Sequence, residues 1–281
     1  MTDLTSKDAA SHYNFVSDAW RLIFGDNFHF GYFRSDDMSL SEATKALIEE
    51  LANLYSITGD SKILDVGCGI GAPAFYLHKK YGCSIIGITT SEKGVKLATE
   101  NCSAKGYSDK VQFELADALN NGFPDKIFDI VWVMESSHLM KDKKKLFSEN
   151  YRVLKDNTAI LLCDMILKKE MNELDIVKYH RKISVMENVF GKAKTETLEY
   201  YQKGLLEAGF KEVKTIDVSE NVFPTFDLLR KSTIRKFDKL SQYITKEKID
   251  EFLLACDIVE QFYENNILGY GLVKAEKISG S

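Results

Sequence analysis

The chain has 281 residues, of which 44% are hydrophobic and 28% are charged, and its formal net charge is -5 at pH 7. This composition is typical of a globular domain and excludes a disordered chain or a fibrous repeat. The acidic balance argues against a general nucleic-acid-binding protein, and no apolar run reaches the roughly 18 to 20 residues of a membrane span.

The amino-terminal residues and the cysteines indicate an ordinary cellular setting. Residues 1–7 are polar and lead into no apolar stretch of signal-peptide type, so we expect a cytoplasmic protein without stable membrane insertion. The five cysteines form no Cys-x-x-Cys pair and no zinc-type spacing with histidine. We therefore expect reduced, mostly buried cysteines and no metal site.

Short apolar runs alternate with helical patterns between residues 63 and 217, which is the signature of βαβ units on a parallel sheet. One helix is predicted to begin after Ser91, a plausible N-terminal cap, and to end near residue 104. The pattern predicts an α/β fold with a Rossmann-like, doubly wound, mostly parallel seven-stranded sheet and a helical cap. The predicted strands are residues 62–66, 84–88, 111–115, 128–134, 159–163, 213–218 and 269–275.

Two segments interrupt this alternation, at residues 169–194 and 223–266, and both have helical apolar spacing without linker composition. We expect them to cover one face of the sheet together with residues 1–55. The lysine-rich run at 141–145 is predicted to be the solvated start of a helix. The predicted organisation is a single domain over residues 1–281, with a core at about 56–168, 195–220 and 267–277 and cap segments at about 1–55, 169–194 and 222–266.

The strongest functional signal is a glycine-rich turn directly after the first predicted strand and directly before a helix. It contains Gly67, Gly69 and Gly71. Glycines at such a turn let the backbone approach a ligand closely and adopt φ values that other residues resist. The turn can bind either a dinucleotide or S-adenosylmethionine, and Gly67, Gly69 and Ala72 also satisfy the dinucleotide pattern.

Two positions favour S-adenosylmethionine. A dinucleotide site expects an acid at the end of the second strand to hold the ribose, but residues 87–91 read Gly-Ile-Thr-Thr-Ser. The acid instead precedes the glycines as Asp65, where a carboxylate suits a ligand that carries a methionine ammonium. We therefore expect S-adenosyl-L-methionine as the cofactor, with a dinucleotide as the alternative.

The loop from Asp65 to Gly71 resembles the first motif of class I methyltransferases. After the third predicted strand, Ala116-Asp117-Ala118 resembles the motif in which that family places its adenine-contacting acid. The resemblance implies that Asp117 accepts a hydrogen bond from the adenine amino group, with Ala118 beside it. Taken alone, an aspartate at a strand end is more often a helix cap.

A narrower resemblance starts from residues 133–140, Val-Met-Glu-Ser-Ser-His-Leu-Met, at the end of the fourth predicted strand, where doubly wound sheets bind ligands. This segment resembles the subgroup of the rebeccamycin sugar O-methyltransferase, the γ-tocopherol methyltransferases and the sarcosine and dimethylglycine N-methyltransferases. The similarity continues in residues 27–32, 87–89 and 151–155 and spans about residues 12–277. It implies a small-molecule acceptor, but members of this subgroup methylate oxygen, nitrogen and carbon.

Two positions depart from the subgroup pattern. The subgroup often has two adjacent histidines where this chain has His138-Leu139, and often a glutamine where this chain has Gly94. The first departure removes a second possible base, and the second leaves the ribose contact to Thr89 and Thr90. The cofactor-binding residues expected from the loop and the resemblance are Asp65, Gly67, Gly69, Gly71, Thr89, Thr90, Asp117, Ala118, Glu135 and Tyr13.

The catalytic residues are expected at the same strand ends. A hydroxyl acceptor must lose its proton, and His138 is suited to take it because an unperturbed histidine has a pKa of about 6.5. Asp164 ends the next predicted strand and would either orient His138 or take the proton itself. In the sugar methyltransferase that the chain resembles, a His and an Asp at matching places are the proposed bases. By themselves, His138 also fits a loop histidine and Asp164 a helix cap.

Aromatic and histidine side chains crowd the amino-terminal segment. They are Tyr13, Trp20, His29, Phe30 and Tyr32. They fit either core packing or a lid that closes over the cofactor and excludes water. By resemblance, Tyr13 is the expected lid residue.

These features predict an S-adenosylmethionine-dependent methyltransferase of a small molecule, with a hydroxyl as the leading acceptor and N- or C-methylation as the alternative. A nucleic-acid amino-methyltransferase is disfavoured, because residues 135–138 read Glu-Ser-Ser-His rather than the Asn/Asp-Pro-Pro-aromatic type. A nicotinamide-dependent oxidoreductase and a non-catalytic S-adenosylmethionine-binding protein are the alternatives from other classes. The sequence indicates no particular oligomeric state.

Overall fold

A computed structural model describes residues 19–25 and 27–279 of the protein. The strands are β1 (Lys62–Val66), β2 (Ser84–Thr89), β3 (Val111–Leu115), β4 (Phe128–Met134), β5 (Leu154–Leu167), β6 (Lys211–Asp217) and β7 (Leu268–Lys277). The helices are α1 (Leu40–Ala52), α2 (Ala72–Tyr81), α3 (Glu92–Lys105), α4 (Lys143–Val153), α5 (Glu173–Phe190), α6 (Leu198–Glu207), α7 (Ser219–Val222), α8 (Thr225–Arg235), α9 (Phe237–Leu240) and α10 (Lys246–Glu264). Residues 19–24 are also helical, and Ser137–Leu139 form a single 3₁₀ turn.

The strands form one sheet in the order β3-β2-β1-β4-β5-β7-β6. All neighbouring pairs from β3 to β5 are parallel, whereas β7 runs antiparallel to both β5 and β6. The strand order reverses between β1 and β4, so the connections leave these two strands in opposite directions and open a crevice at their carboxyl ends. The predicted Rossmann-like, mostly parallel seven-stranded sheet is confirmed.

Side chains alternate between the two faces of the sheet, so each central strand contributes to two cores. On one face, Ile63 of β1 packs in a cluster with Leu47 of α1 and Leu77 of α2. On the other face, Leu64 packs in a cluster with Phe147 of α4. All five side chains are fully buried. Each of these buried side chains contributes about 1.5 to 3 kcal/mol to stability. The strands whose carboxyl ends form the crevice are therefore held firmly by packing on both faces.

Helix α1, which lies within the segment 1–55 assigned to the cap, packs against one face of the sheet. Ser39 caps the helix, with its side chain accepting from the Glu42 N–H and its own N–H donating to the Glu42 carboxylate. The apolar face of α1 carries Ile48 and Leu51, which are fully buried in the same cluster as β1 and β4. The sheet needs an apolar cover on this face, and α1 supplies it.

The remaining helical segments pack on one another. Phe24 and Trp20 share a cluster with Phe252 of α10, Leu229 of α8 and Val189 of α5. The two interrupting segments are helical, as α5 and as α8 to α10, but the division of the chain into core and cap stays a prediction. Among the described residues, no helix is long and apolar enough to cross a membrane.

Strand β5 is longer than predicted, because the sequence indicated only residues 159–163. From Thr158 to Leu167 it pairs with β7, from Lys277 back to Leu268. The ends of β5 contain polar residues, and backbone pairing rather than an apolar pattern makes them part of the sheet.

The lysine-rich run at 141–145 differs from its prediction in one residue. Helix α4 does begin there, with Asp142 accepting from the Lys145 N–H at 2.9 Å as its N-terminal cap. Lys144 and Lys145 are exposed, but Lys143 is only 1% exposed. The first turn of α4 presses against the segment between α5 and α6, which covers this one side chain.

Candidate active site

A cleft of about 1140 Å³, including its open mouth, lies at the carboxyl ends of β1, β2 and β4. Most predicted cofactor-binding residues line it. They are Gly67, Gly69, Thr89, Thr90, Asp117, Ala118 and Glu135. Within the described part of the chain, the wall does not include Asp65, Gly71, His138 or Asp164. Tyr13 lies outside the described residues.

The glycine turn forms one wall of the cleft, and its glycines differ in what surrounds them. Gly67 has φ 80°, and a side chain there would overlap Ser136, whose hydroxyl donates to the Val66 carbonyl at 2.7 Å. Gly69 has φ 54°, and a Cβ atom on it would meet no atom within 4 Å. A Cβ on Gly71 would come 2.5 Å from the ring of Phe113. Gly67 and Gly71 therefore allow packing, whereas Gly69 leaves space for a ligand.

Asp65 lies in β1, two residues before Gly67, and is 2% exposed. Its Oδ2 atom finds no hydrogen-bond partner among the described residues. Burial raises the pKa of this carboxyl group to about 7. An unpartnered, buried carboxylate is costly, so the arrangement suits a ligand that brings a positive donor group.

The adenine and ribose side of the cleft is formed by the ends of β2 and β3. Ser91 caps α3, as predicted, with its side chain accepting from the Gly94 N–H at 2.9 Å. A Cβ on Gly94 would come 3.0 Å from the Gly69 carbonyl oxygen, so glycine at this position allows α3 to approach the glycine turn. Asp117 accepts from the Leu119 N–H at 2.9 Å, which is a local turn contact, and also lines the cleft. The adenine and ribose contacts stay predictions.

Glu135 follows β4 with an unusual backbone conformation, φ 46°. Its Oε1 atom accepts from the Phe30 N–H at 2.8 Å and from the Tyr270 hydroxyl at 2.7 Å. Burial raises the pKa of Glu135 to about 8, against the effect of these two donors. The carboxyl group thus joins the amino-terminal segment and β7 to the cleft. No sequence pattern pointed to Tyr270, because its contact with Glu135 links residues far apart in the chain.

His138 and Asp164 are brought together by β4 and β5. The His138 Nδ1 atom lies 2.7 Å from Asp164 Oδ1, and Asp164 also accepts from the His138 N–H, the Ser137 hydroxyl and the Met165 N–H. Asp164 is fully buried, but these donors and the histidine charge outweigh burial and lower its pKa. Burial disfavours the charged imidazole, yet Asp164 outweighs this effect and raises the pKa of His138.

These contacts define which imidazole nitrogen is available. The ionised Asp164 carboxylate only accepts hydrogen bonds, so Nδ1 carries a proton and Nε2 of the neutral ring is the acceptor. The His138 side chain is 13% exposed, and its neighbours Ser136 and Leu139 line the cleft. The pair therefore lies beside the cleft in an arrangement suited to proton transfer.

His29 is a wall residue whose role the sequence left open between packing and a lid. It is 4% exposed, and its Nδ1 atom lies 2.9 Å from the Phe30 carbonyl oxygen. Burial lowers the pKa of His29 to about 4, so the ring is neutral. Its Nε2 atom finds no partner among the described residues, and His29 lines the cleft.

Three of the other aromatic residues of that segment, all in the described part of the chain, contribute to packing. Phe30 packs against Phe226 and Tyr270, with ring centroids 5.0 and 5.9 Å apart, and Tyr32 packs on the sheet cluster. Trp20 belongs to the cluster of the outer helices.

Comparison with known proteins identifies the family of the chain. The family described as mycolic acid cyclopropane synthetase matches residues 2–268. The chain belongs to this family. The chain is an S-adenosylmethionine-dependent methyltransferase that acts on a small molecule.

Two relatives match nearly the whole length of the chain. The 27-O-demethylrifamycin SV methyltransferase of Amycolatopsis mediterranei (strain S699) is 30% identical over 278 residues, covering 99% of each chain. The chloroplastic tocopherol O-methyltransferase of Arabidopsis thaliana is 29% identical over 292 residues, covering 98% of this chain and 83% of that one. Among the similar proteins, names that specify oxygen, nitrogen and carbon acceptors all occur.

The fold of the chain matches that of a solved structure. A crystal structure of mycolic acid cyclopropane synthase CmaA1, complexed with SAH and CTAB, superposes with a TM-score of 0.88. It is 17% identical and covers 98% of this chain and 99% of that chain, so the likeness shows the fold.

The residues present fit the cofactor of the family. The unpartnered Oδ2 of Asp65 suits the methionine ammonium, and the open space at Gly69 suits the backbone-close passage of the ligand. Gly69 lies on the cleft wall, and Asp65 is buried behind that wall, four residues earlier in the motif in which the family places the donor.

Proposed function

We propose that the protein methylates a hydroxyl group of a small molecule, with His138 as the general base and Asp164 as the residue that orients it. The observation that carries this proposal is the 2.7 Å contact between His138 Nδ1 and a buried Asp164 that three further donors hold in place. A histidine oriented in this way presents Nε2 as a base and is stabilised when it becomes charged.

The chain contributes alignment and proton transfer. When bound, S-adenosylmethionine supplies a methyl group on a positively charged sulfur. The wall residues hold donor and acceptor in line, which accounts for much of the rate of a displacement of this kind. His138 Nε2 accepts the hydroxyl proton while the oxygen–carbon bond forms and the sulfur–carbon bond breaks. Asp164 stabilises the imidazolium that results.

The names of two relatives support a hydroxyl acceptor, since one is a 27-O-demethylrifamycin SV methyltransferase and the other a tocopherol O-methyltransferase. An amine acceptor is the second candidate, because the relatives also include norajmaline N-methyltransferase. An amine that is already deprotonated needs no base. The two candidates therefore differ in their dependence on His138.

The test is a labelling experiment. The protein is incubated with methyl-¹³C S-adenosylmethionine and metabolite extracts or panels of alcohols, phenols and amines, and labelled products are read by mass spectrometry and carbon NMR. The proposal expects labelled O-methyl groups whose formation depends on His138. Label found on nitrogen or carbon alone, or unchanged O-methylation by His138→Ala, would overturn it.

A further inference from the structure

Lys143 is a buried cation in an unfavourable place. It is the first residue of α4, where the positive end of the helix dipole disfavours a cation, and it is 1% exposed. Burial lowers the pKa of its ammonium to about 8. A buried ammonium group in such a position destabilises the fold unless hydrogen bonds or opposite charges compensate it.

The ammonium group of Lys143 ties the His138 turn to the segment between α5 and α6. Its Nζ atom donates to the Met140 carbonyl at 2.8 Å and to the Lys194 carbonyl at 2.9 Å. The Lys194 N–H in turn donates to the His138 carbonyl at 2.7 Å. Three hydrogen bonds thus tie the backbone carbonyls of His138 and Met140 to Lys143 and Lys194.

We propose that Lys143 is a positioning residue for His138, because its hydrogen bonds to the Met140 and Lys194 carbonyls hold the turn at residues 137–140. The same bonds keep the ammonium beside this turn, where its positive charge disfavours a second positive charge on the imidazole. This inference rests on the proposed role of His138 as the base. A base must be neutral to accept a proton, and Asp164 alone would favour the charged form. The positive charge of Lys143 opposes this effect of Asp164 on His138.

The charges around the pair support this balance. Asp164 and Glu135 raise the pKa of His138, against its burial, and Lys143 lowers it. Lys143 itself faces Asp164 from β5 and both Glu196 and Lys194 from the segment between α5 and α6. Lys143 is therefore a cation whose effect on His138 opposes that of the Asp164 carboxylate.

Two substitutions separate the hydrogen bonds from the charge. Lys143→Gln replaces the ammonium donors by amide donors on a slightly shorter side chain and removes the charge. Lys143→Met removes both the hydrogen-bond donors and the charge. The matched control is Lys144→Gln on the next residue, whose side chain is 77% exposed and lies 3.3 Å from Glu207.

The primary measurement is the NMR titration of the His138 imidazole in protein with labelled histidine, assigned with a His138→Asn variant. We expect a higher His138 pKa in Lys143→Gln than in the parent and in Lys144→Gln. An unchanged or lower pKa in Lys143→Gln would overturn the role of the charge. This readout needs no acceptor, so it stands even if His138 is not the base.

The second measurement is turnover with the identified acceptor. We expect kcat of Lys143→Met to fall about 10- to 10²-fold, the range that a misplacement of about 1 Å costs, with a smaller loss in Lys143→Gln and unchanged S-adenosylhomocysteine binding. Equal turnover in Lys143→Met and Lys144→Gln would overturn positioning. If Lys143→Met does not fold, the kcat of Lys143→Gln is measured at a pH above the His138 titration midpoint. Turnover like that of the parent supports hydrogen bonds kept by the glutamine amide, and a loss of about 10- to 10²-fold contradicts this. Should Lys143→Gln titrate as expected while His138→Ala keeps full turnover, the proposed function fails and the electrostatic inference stands.

Discussion

The hydroxyl of Tyr270 donates a 2.7 Å hydrogen bond to Glu135, so β7 contacts the cleft through a residue at the end of β4. The Phe30 N–H donates to the same oxygen at 2.8 Å. Glu135 is thereby surrounded by donors and yet has its pKa raised by burial to about 8. Near neutral pH it is a protonated acid at the wall of the cleft.

Glu135→Gln should stabilise the protein at alkaline pH. The folded state keeps the Glu135 proton up to about pH 8, whereas the unfolded chain loses it near the ordinary value of 4.5. Parent stability therefore falls as pH rises through this window, and the glutamine variant lacks that loss. We expect the variant to gain about 1 to 3 kcal/mol at pH 9. Urea unfolding at pH 5 and pH 9 measures it, and an equal difference at both pH values would contradict the assignment.

Donor affinity should depend on the ionisation of Asp65. Free Asp65 has its pKa raised to about 7 by burial, and pairing with the methionine ammonium requires the carboxylate. S-adenosylhomocysteine affinity should therefore fall below pH 7, by up to about tenfold per pH unit, and binding near pH 7 should release a proton. Calorimetry in buffers of different ionisation enthalpy detects this release.

Asp65→Asn should bind weakly and without this pH dependence. The exposed Asp60, also ahead of the glycine turn, provides the control, since Asp60→Asn should keep the parent profile. Parent-like proton release by Asp65→Asn would show that another group titrates.

Gly69→Val should abolish donor binding without unfolding the sheet. The new side chain would project into open space in the cleft, where no described atom lies within 4 Å of its Cβ. We expect S-adenosylhomocysteine to bind at least about 100-fold more weakly. Gly106→Val is the matched control, because Gly106 has φ 71° and equally open surroundings but caps the far end of α3.

Both valine variants should carry similar backbone strain, at least about 1 to 2 kcal/mol. Their melting temperatures should therefore be similar, while their affinities differ. Donor binding by Gly69→Val at the parent level would remove the glycine turn from the donor site.

His138→Ala should lower kcat by about 10² to 10⁴ if the acceptor is a hydroxyl. Only the neutral imidazole accepts a proton, so turnover should rise with pH through the His138 titration. Because Asp164 raises the pKa of His138, the midpoint should lie above about 6.5. A pH series of kcat with the identified acceptor measures both effects.

Asp164→Asn should cause a comparable or smaller loss, and the double variant should lose less than the sum of the two. Donor affinity should stay nearly constant in all three variants, since other residues hold the donor. Turnover that is independent of pH and of His138 would favour an amine acceptor.

The sequence predicted the central strands well, because their apolar runs are short and bounded. β1, β3 and β4 have the predicted bounds, and the glycine turn lies between β1 and α2 as expected. The polar beginning of β5 escaped prediction, because Leu154 joins the sheet through its pairing with Phe128 of β4 and the β7 pairing starts only at Thr158.

The site was predictable where one motif supplied several residues. His138 follows β4 and Asp164 lies near the carboxyl end of the neighbouring β5, and parallel strands bring such positions to the same end of a sheet. Lys143 and Tyr270 were not predictable in the same way. The burial of Lys143 depends on a backbone carbonyl 51 residues away, and the Tyr270 contact joins residues 135 positions apart.

The position of β7 between β5 and β6 has a consequence for synthesis. On the ribosome, β6 is made before β7 but has no strand to pair with until residues 268–277 have emerged. The same residues bring Tyr270 to Glu135. Folding of this half of the sheet therefore waits for β7, and a nascent chain stalled before residue 268 would expose the edge of β5.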